Sequence, residues 1–464
     1  MDKFLSNSKF AKSDAYRAAV HDVIVGGAHT YSKGDDQFPQ LAPASIARGK
    51  NGRVWDLDGN EYVDVALGLG SVSLGHAYEP VLNAVRGALE NGVNFQRPSP
   101  LELELGSMFL ESCPGMDRIK YAKNGSNVTT AAVKLARAYT GRPLVAVAAS
   151  HPFFSFDDWF IGTTAANSGV PDAVRDLTLR YNTLDLDTLR YLFKTHPGQI
   201  ACIVTEPEEM IPIDPALIRE AGEIAKKNGA LFVVDEMLTG FRAGFPGSYV
   251  EHGIEPDMTT WGKATANGFS FCALAGRAPI MELGGIRQNE APRVFLLSST
   301  HGGETHALAA AKAVLEEYRT KDVIGTLRRR VAEVAQAAKQ IVMDENLEGV
   351  IELHPANWRI AFVFRDRSGN ASAELRTLML QEMIGRGILF QGVFLPCFTH
   401  SDEDIGLFIS AFRESCAVYR RALDARAGGF LVGEATRPVF RKYNGCRTSC
   451  PSDPCPHIAD CTRK

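Results

Sequence analysis

Two kinds of apolar pattern alternate along the middle of the chain. In ELELGSMFLESC, SNVTTAAVKLARAYTG and ALIREAGEIAKKNG the apolar residues recur at helical spacing, and the last two segments stop at a glycine. LVAVAA, IACIVTE and ALFVVDE are short unbroken apolar runs, which fit strands buried on both faces; IKYAK is also strand-like. Alternation of this kind from about 100 to 320 predicts an α/β fold, a mostly parallel sheet with helices on both faces. Further on, long helices are predicted at roughly 305–319, 323–343, 372–387 and 403–424, with strand-like runs between them such as WRIAFVF at 358–364. That suits a second, smaller α+β domain. Near the start, RVWDLDGNEYVDV reads as a hairpin around Asp58-Gly59, and GDDQFPQLAPA at 34–44 reads as loop. The expected divisions are an N-terminal segment 1–65 contributing to the small domain and the active-site mouth, a large cofactor-binding domain 66–320, a small domain 321–440 and a Cys-rich tail 441–464.

Composition narrows the class without changing this layout. The 464 residues are 45% hydrophobic and 22% charged, enough to bury a sizeable core. Fifty Lys and Arg against 54 Asp and Glu leave a net charge of -4, so no basic excess points to nucleic acid or an anionic membrane. Apolar runs such as LFVV are far too short to span a bilayer. The opening MDKFLSNSKFAKSDAYR has no apolar signal-peptide core, and a cytoplasmic location is the default expectation. Of nine cysteines, Cys113, Cys202, Cys272, Cys397 and Cys416 sit singly among apolar neighbours and read as buried small hydrophobes.

Three segments carry candidate chemistry. Asp235 ends the apolar run ALFVVDE, and ligands of α/β sheets bind at the carboxyl ends of strands. A carboxylate there needs a positive partner, unless it merely caps the next turn. Lys263, in TTWGKATANG, follows a short strand among small residues. Desolvation favours a neutral amine, which a Schiff-base lysine needs; a loop lysine is the plainer reading. In YAKNGSNVTTAAVK a strand runs through Asn124-Gly125-Ser126-Asn127 into a helix. Backbone N–H groups at a helix start bind anions, so this is a candidate phosphate cradle; simple N-capping is the alternative. There is no GxGxxG and no Walker loop. Phosphate anchor, acid, and a lysine 28 residues beyond the acid are together the needs of a pyridoxal cofactor.

At this point the chain resembles the class III aminotransferases of fold type I, in particular their glutamate-1-semialdehyde aminomutase-like branch, over roughly residues 20–425. VVDEMLTGFR and WGKATANGF resemble that branch's acid and lysine segments. GGAHTYSKG, VWDLDGNEYVDV, LGHAYEPV and KLARAYTGR fall in the expected order. The resemblance implies pyridoxal 5'-phosphate, becoming pyridoxamine phosphate in the half-reaction. Lys263 would hold it, Asp235 would face its ring nitrogen, and Gly125, Ser126 and Asn127 would bind its phosphate. Met237 would pack under the ring, Phe153 would supply an aromatic face, and Glu206 would lie at the cofactor site. Thr300, in STHGGETH, resembles a threonine that reaches the phosphate of a neighbouring subunit, which implies a homodimer with shared active sites.

Departures from the branch steer the expected reaction. Counted from Arg142 without a gap, the branch's Tyr-His-Gly falls on Pro152-Phe153-Phe154. The arginine expected after the GG motif is absent, and Lys33 is the nearest cation; lysine lacks the bidentate fork that suits a carboxylate. The asparagine expected after Glu206-Pro207 is also absent. Tyr31, Ser32 and Lys33 become the substrate candidates, in a polar stretch that runs on to Asp35, Asp36 and Gln37. The sequence therefore leans to transfer from an amino acid donor to an aldehyde or ketone, such as a keto-sugar. Intramolecular glutamate-1-semialdehyde aminomutase chemistry is the alternative, and decarboxylases and racemases also occur in the class. A reading of another class makes the tail the working part: Cys446, Cys450, Cys455 and Cys461 with His457 would suit a small zinc or iron–sulfur site, or an interaction module.

Overall fold

The computed structural model of the chain describes residues 7–151, 153–209, 211–287, 292–425 and 429–449. The chain divides into two compact units: Gly70–Ser73 with Glu79–Ile324, and Met1–Leu69 with Leu74–Tyr78 and Gly325–Lys464.

The first unit is built on a seven-stranded sheet. Its spatial order is Arg118–Ala122, Cys272–Gly276, Met258–Trp261, Leu231–Asp235, Ile200–Thr205, Leu144–Ala148 and Thr178–Tyr181. Five of the strands, from Met258–Trp261 to Thr178–Tyr181, pair in parallel. Cys272–Gly276 runs antiparallel to both of its neighbours. The apolar runs have a simple cause: 144–148, 200–205, 231–235, 258–261 and 272–276 are buried at every position. A strand covered on both faces gains nothing from polar alternation. The helix Gly125–Thr140 lays Val128, Ala132, Leu135 and Ala136 into the same core as Val145, Val204 and Val233. It ends where Gly141 turns left-handed at φ 69°.

The second unit joins both ends of the chain. Ile46–Lys50, Arg53–Asp56, Glu61–Asp64 and Ile388–Leu389 form a four-stranded sheet, in which 388–389 pairs in parallel with 61–64. The 53–64 hairpin turns as read: Asp56 Oδ1 accepts the N–H groups of Asp58 (3.0 Å) and Asn60 (2.8 Å), and Gly59 takes φ 89°. Ile351–Ala356, Arg359–Phe364 and Val393–Phe394 make a three-stranded sheet. Its core gathers Ile341, Ile360, Leu378, Phe390, Phe408 and Phe412. Among the described residues no helix is long and apolar enough to cross a membrane.

Candidate active site

The acid, the lysine and the helix start all belong to the first unit. Asp235 ends its strand only 2% exposed. Its Oδ1 accepts the Met237 N–H (2.8 Å) and the Thr260 hydroxyl (2.8 Å). Oδ2 takes part in neither bond. Burial, then the charge of Glu206, push the carboxyl up to about 6, while His151 and the two hydrogen bonds pull it down.

Lys263 follows the strand Met258–Trp261 and Gly262 and opens a 3-10 turn, Lys263–Ala266. It sits in the left-handed region at φ 44°, unusual for a non-glycine residue. Among the described residues no carboxylate pairs with its ammonium. The Cys272 thiol lies near both Lys263 and Asp235, and burial pushes it up to about 12, so it stays neutral near pH 7.

Met237 fills the space between these groups. A Cβ on Gly125 would come within 3.0 Å of Met237 Cε. One on Gly262 would lie 2.5 Å from Cys272 Sγ and nearer still to Met237 Sδ. Helix start, thioether and lysine turn are therefore in close contact, and glycine is required at 262 by space rather than by backbone angle.

The helix Gly125–Thr140 is capped by Asn124, whose side chain accepts the Asn127 N–H at 3.0 Å. That consumes one of the donors expected for phosphate. The N–H groups of Gly125 and Ser126, in the first turn, have no acceptor within the helix. Ser126 Oγ accepts the Phe156 N–H (2.9 Å), which leaves its own proton to donate. Asn127 is thus a partner of the cap, while the Gly125 and Ser126 N–H groups stay outside the helix's own bonding.

The group that the sequence reading missed is His151. Its Nδ1 accepts the Phe153 N–H (3.2 Å), so a neutral ring carries its proton on Nε2. Nε2 stands 2.7 Å from Glu206 Oε1, off the direction of a hydrogen bond. The ring stacks on buried Phe154, with centroids 4.0 Å apart. Phe153, by contrast, is 45% exposed and meets Phe160 edge-on at 6.0 Å. The gap-free count from Arg142 led past the strand end at Ala148 and overshot the buried histidine. A polar residue just beyond an all-apolar strand was the available signal.

The remaining candidates lie elsewhere. Thr300 is exposed, its carbonyl accepting from Asn94 Nδ2 (3.0 Å). Its segment is fastened to the approach of the helix start, because Glu304 pairs with Lys123 at 2.6 Å. Tyr31, Ser32 and Lys33 form a 3-10 turn in the second unit, with Tyr31 65% exposed. Cys113, Cys202, Cys272, Cys397 and Cys416 are buried free thiols, and Cys446 is buried as well. Cys450, Cys455, Cys461 and His457 lie outside the described residues, among which no group of three or more His, Cys, Asp or Glu is placed to hold a metal.

Comparison with known proteins bears on this arrangement. The family model described as Aminotransferase class-III matches residues 34–352. Glutamate-1-semialdehyde 2,1-aminomutase 2 of Geobacillus kaustophilus (strain HTA426) is 31% identical over 401 residues, covering 80% of this chain and 90% of that protein. Among solved structures, a transaminase with PLP bound superposes with a TM-score of 0.80 at 21% identity, covering 89% of this chain and 98% of that one. A glutamate-1-semialdehyde-aminomutase from Pseudomonas aeruginosa PAO1 gives 0.78 at 20% identity, covering 89% and 96%. Both share the fold type I architecture.

Proposed function

The chain belongs to the class III aminotransferase family, and from that premise we propose that it is a pyridoxal-phosphate enzyme moving an amino group between carbons of one substrate, in the manner of glutamate-1-semialdehyde 2,1-aminomutase. One observation carries the cofactor part: a buried aspartate with one oxygen outside its hydrogen bonds, and a lysine with no acid partner among the described residues, meet around Met237. The N–H groups of Gly125 and Ser126, with the Ser126 hydroxyl, are the phosphate donors. Asp235 Oδ2 is the acceptor for a protonated ring nitrogen, a cation that would bring its raised pKa back down. Lys263 would hold the cofactor covalently until a substrate amine displaces it. When bound, the cofactor supplies an electron sink for charge developing at the substrate carbon.

The protein's own part is proton management. Once a substrate amine has displaced it from the cofactor, the freed Lys263 amine would take a proton from the substrate carbon and return it at a neighbouring atom. Met237 packs the floor beneath it. Glu206 lies against His151, and a proton on that ring would lower the Asp235 pKa. We read exposed Thr300 as completing the phosphate site of a second copy, which makes the working form a homodimer.

Two readings of the amine's destination remain, and they rest on different support. The intramolecular one is favoured by the name carried by the relative 31% identical across 90% of its length. It displaces the keto-sugar transfer to which the sequence leaned. Transfer to a separate carbonyl acceptor is supported by one local feature, Lys33 in a polar turn where a carboxylate-gripping arginine is expected. Isotope tracing tests the choice. Glutamate-1-semialdehyde supplied with ¹⁵N-glutamate should yield unlabelled 5-aminolevulinate, in a reaction abolished by Lys263→Ala. Label passing into an added aldehyde or ketone, without 5-aminolevulinate, would refute the intramolecular reading.

A further inference from the structure

The turn that carries Tyr31, Ser32 and Lys33 has no core of its own. Residues 31–37 make two short 3-10 turns, Tyr31–Lys33 and Asp35–Gln37, neither with a buried residue. Four internal bonds shape them: the N–H groups of Lys33, Gly34, Gln37 and Phe38 donate to Thr30, Tyr31, Gly34 and Asp35. On one side Asp35 takes Arg17 Nε (3.4 Å) from the helix Ala11–Val20 and Nε2 of His21 (3.0 Å), the residue that caps that helix. What holds the other side is the chain beyond the last helix, residues 429–449.

That segment runs as a strap along the helix Ala373–Gly385. Gln381 brackets it, accepting the Val432 N–H (2.9 Å) and donating to the Phe430 carbonyl (3.1 Å). The Thr436 N–H donates to Thr377 Oγ1 (2.9 Å). The strap then clasps the 31–37 turns directly. The Arg437 N–H donates to the Asp36 carbonyl (2.9 Å), Gln37 Nε2 donates to the Arg437 carbonyl (3.0 Å), and Arg441 Nη1 pairs with Asp36 Oδ2 at 2.6 Å.

A second, separate route passes through Arg376. Burial pushes this guanidinium below its ordinary range, and the acceptors it bonds are both neutral. Nη1 donates to Thr436 Oγ1 (3.0 Å) in the strap, and Nη2 donates to the Gln391 carbonyl (3.0 Å). Gln391 Nε2 in turn donates to the Ser32 carbonyl (2.8 Å). Two chains of polar contacts thus join one strap to both halves of one surface turn.

We infer that residues 430–441 are a positioning element for substrate recognition, setting the geometry of the 31–37 turns through the Arg441–Asp36 pair and the Thr436–Arg376–Gln391–Ser32 relay. The inference rests on the reading of Tyr31, Ser32 and Lys33 as substrate-holding residues. The strap touches no reacting atom; its effect falls on affinity rather than on the chemical step.

The test combines hydrogen exchange with kinetics on the full holoenzyme. Four variants are compared: Arg441→Ala, Arg441→Lys, Thr436→Val and a deletion of 430–464. Arg441→Ala, Thr436→Val and the deletion should speed exchange of amides 31–38 by about tenfold, the loss of one good polar contact. Amides 123–127 and 258–266 should not change, and Arg441→Lys should restore protection. With glutamate-1-semialdehyde as probe, KM should rise by about fivefold or more while kcat changes less than about twofold. Unchanged exchange at 31–38 in both Arg441→Ala and Thr436→Val overturns the inference, as does acceleration spread evenly over all three regions. Lys33→Ala separates the two claims. If it leaves KM unchanged, the reading of Lys33 fails, while the exchange data still decide whether the strap orders the turn.

Discussion

Gly262→Ala tests whether the lysine turn and the helix start are packed as one unit. A Cβ at 262 would stand 2.5 Å from Cys272 Sγ and closer to Met237 Sδ. Comfortable separations are about 3.5–4.0 Å, so the overlap is roughly 1 Å on two sides. Relief requires movement of Met237, Cys272 or the Lys263 turn. Overpacking of this kind costs about 1–3 kcal/mol. Because φ at 262 is -175°, none of that cost is backbone strain. The cause can be isolated by removing the obstacles. In a Met237→Ala, Cys272→Ala background the same substitution should cost less than about 0.5 kcal/mol, a coupling of about 1–2 kcal/mol. The assay is urea unfolding of the cofactor-free protein, read as a shift in midpoint at constant slope. Additivity within about 0.5 kcal/mol would refute the packing argument, because Met237 and Cys272 would then not be what the added methyl strikes.

Asp235 gives a pH signature. Its folded pKa, raised to about 6 from 3.8, means that the folded form holds its proton more tightly. The cofactor-free protein should lose stability as pH rises from about 4 to about 6, by about 3 kcal/mol at most, and Asp235→Asn should flatten that part of the profile. Bound cofactor should flatten it too, since a ring cation lowers the aspartate's pKa; an unaltered slope in Asp235→Asn would rule the assignment out. Thr300→Val should weaken cofactor retention, and sedimentation of the native protein should show at least a dimer. A fully active monomer would refute the shared-site reading.

The legible parts of the sequence were those decided locally. The helix beginning at Gly125 announced itself by apolar spacing and by Gly141, and the 53–64 hairpin by Asp58-Gly59. Asp235 was legible as the polar end of an apolar run. Lys263 was not legible alone, and became so only with the other two segments at their spacing. The antiparallel sense of Cys272–Gly276 was hidden because a strand buried on both faces reads the same in either direction. His151 was hidden by a count that permitted no gap across a loop. The strap was hidden by distance: Gln37 and Arg437 meet across 400 residues, and nothing in either segment names the other.

The parallel pairing of Glu61–Asp64 with Ile388–Leu389 also has a consequence for biosynthesis. The strand at 61–64 leaves the ribosome long before its partner exists. At about 5–20 residues per second, the 324 residues from Asp64 to Ile388 take roughly 15–65 s to synthesise. During that time the chain from Glu79 to Ile324 has everything it needs to form the seven-stranded sheet with Asp235 and Lys263 in place. The hairpin's two apolar faces, Val54 with Tyr62 on one and Val63 on the other, must wait partly uncovered until the C-terminal third emerges. Nascent chains stalled before residue 388 should therefore carry a folded cofactor-binding half and a sticky N-terminal hairpin, the form of this protein most in need of a chaperone.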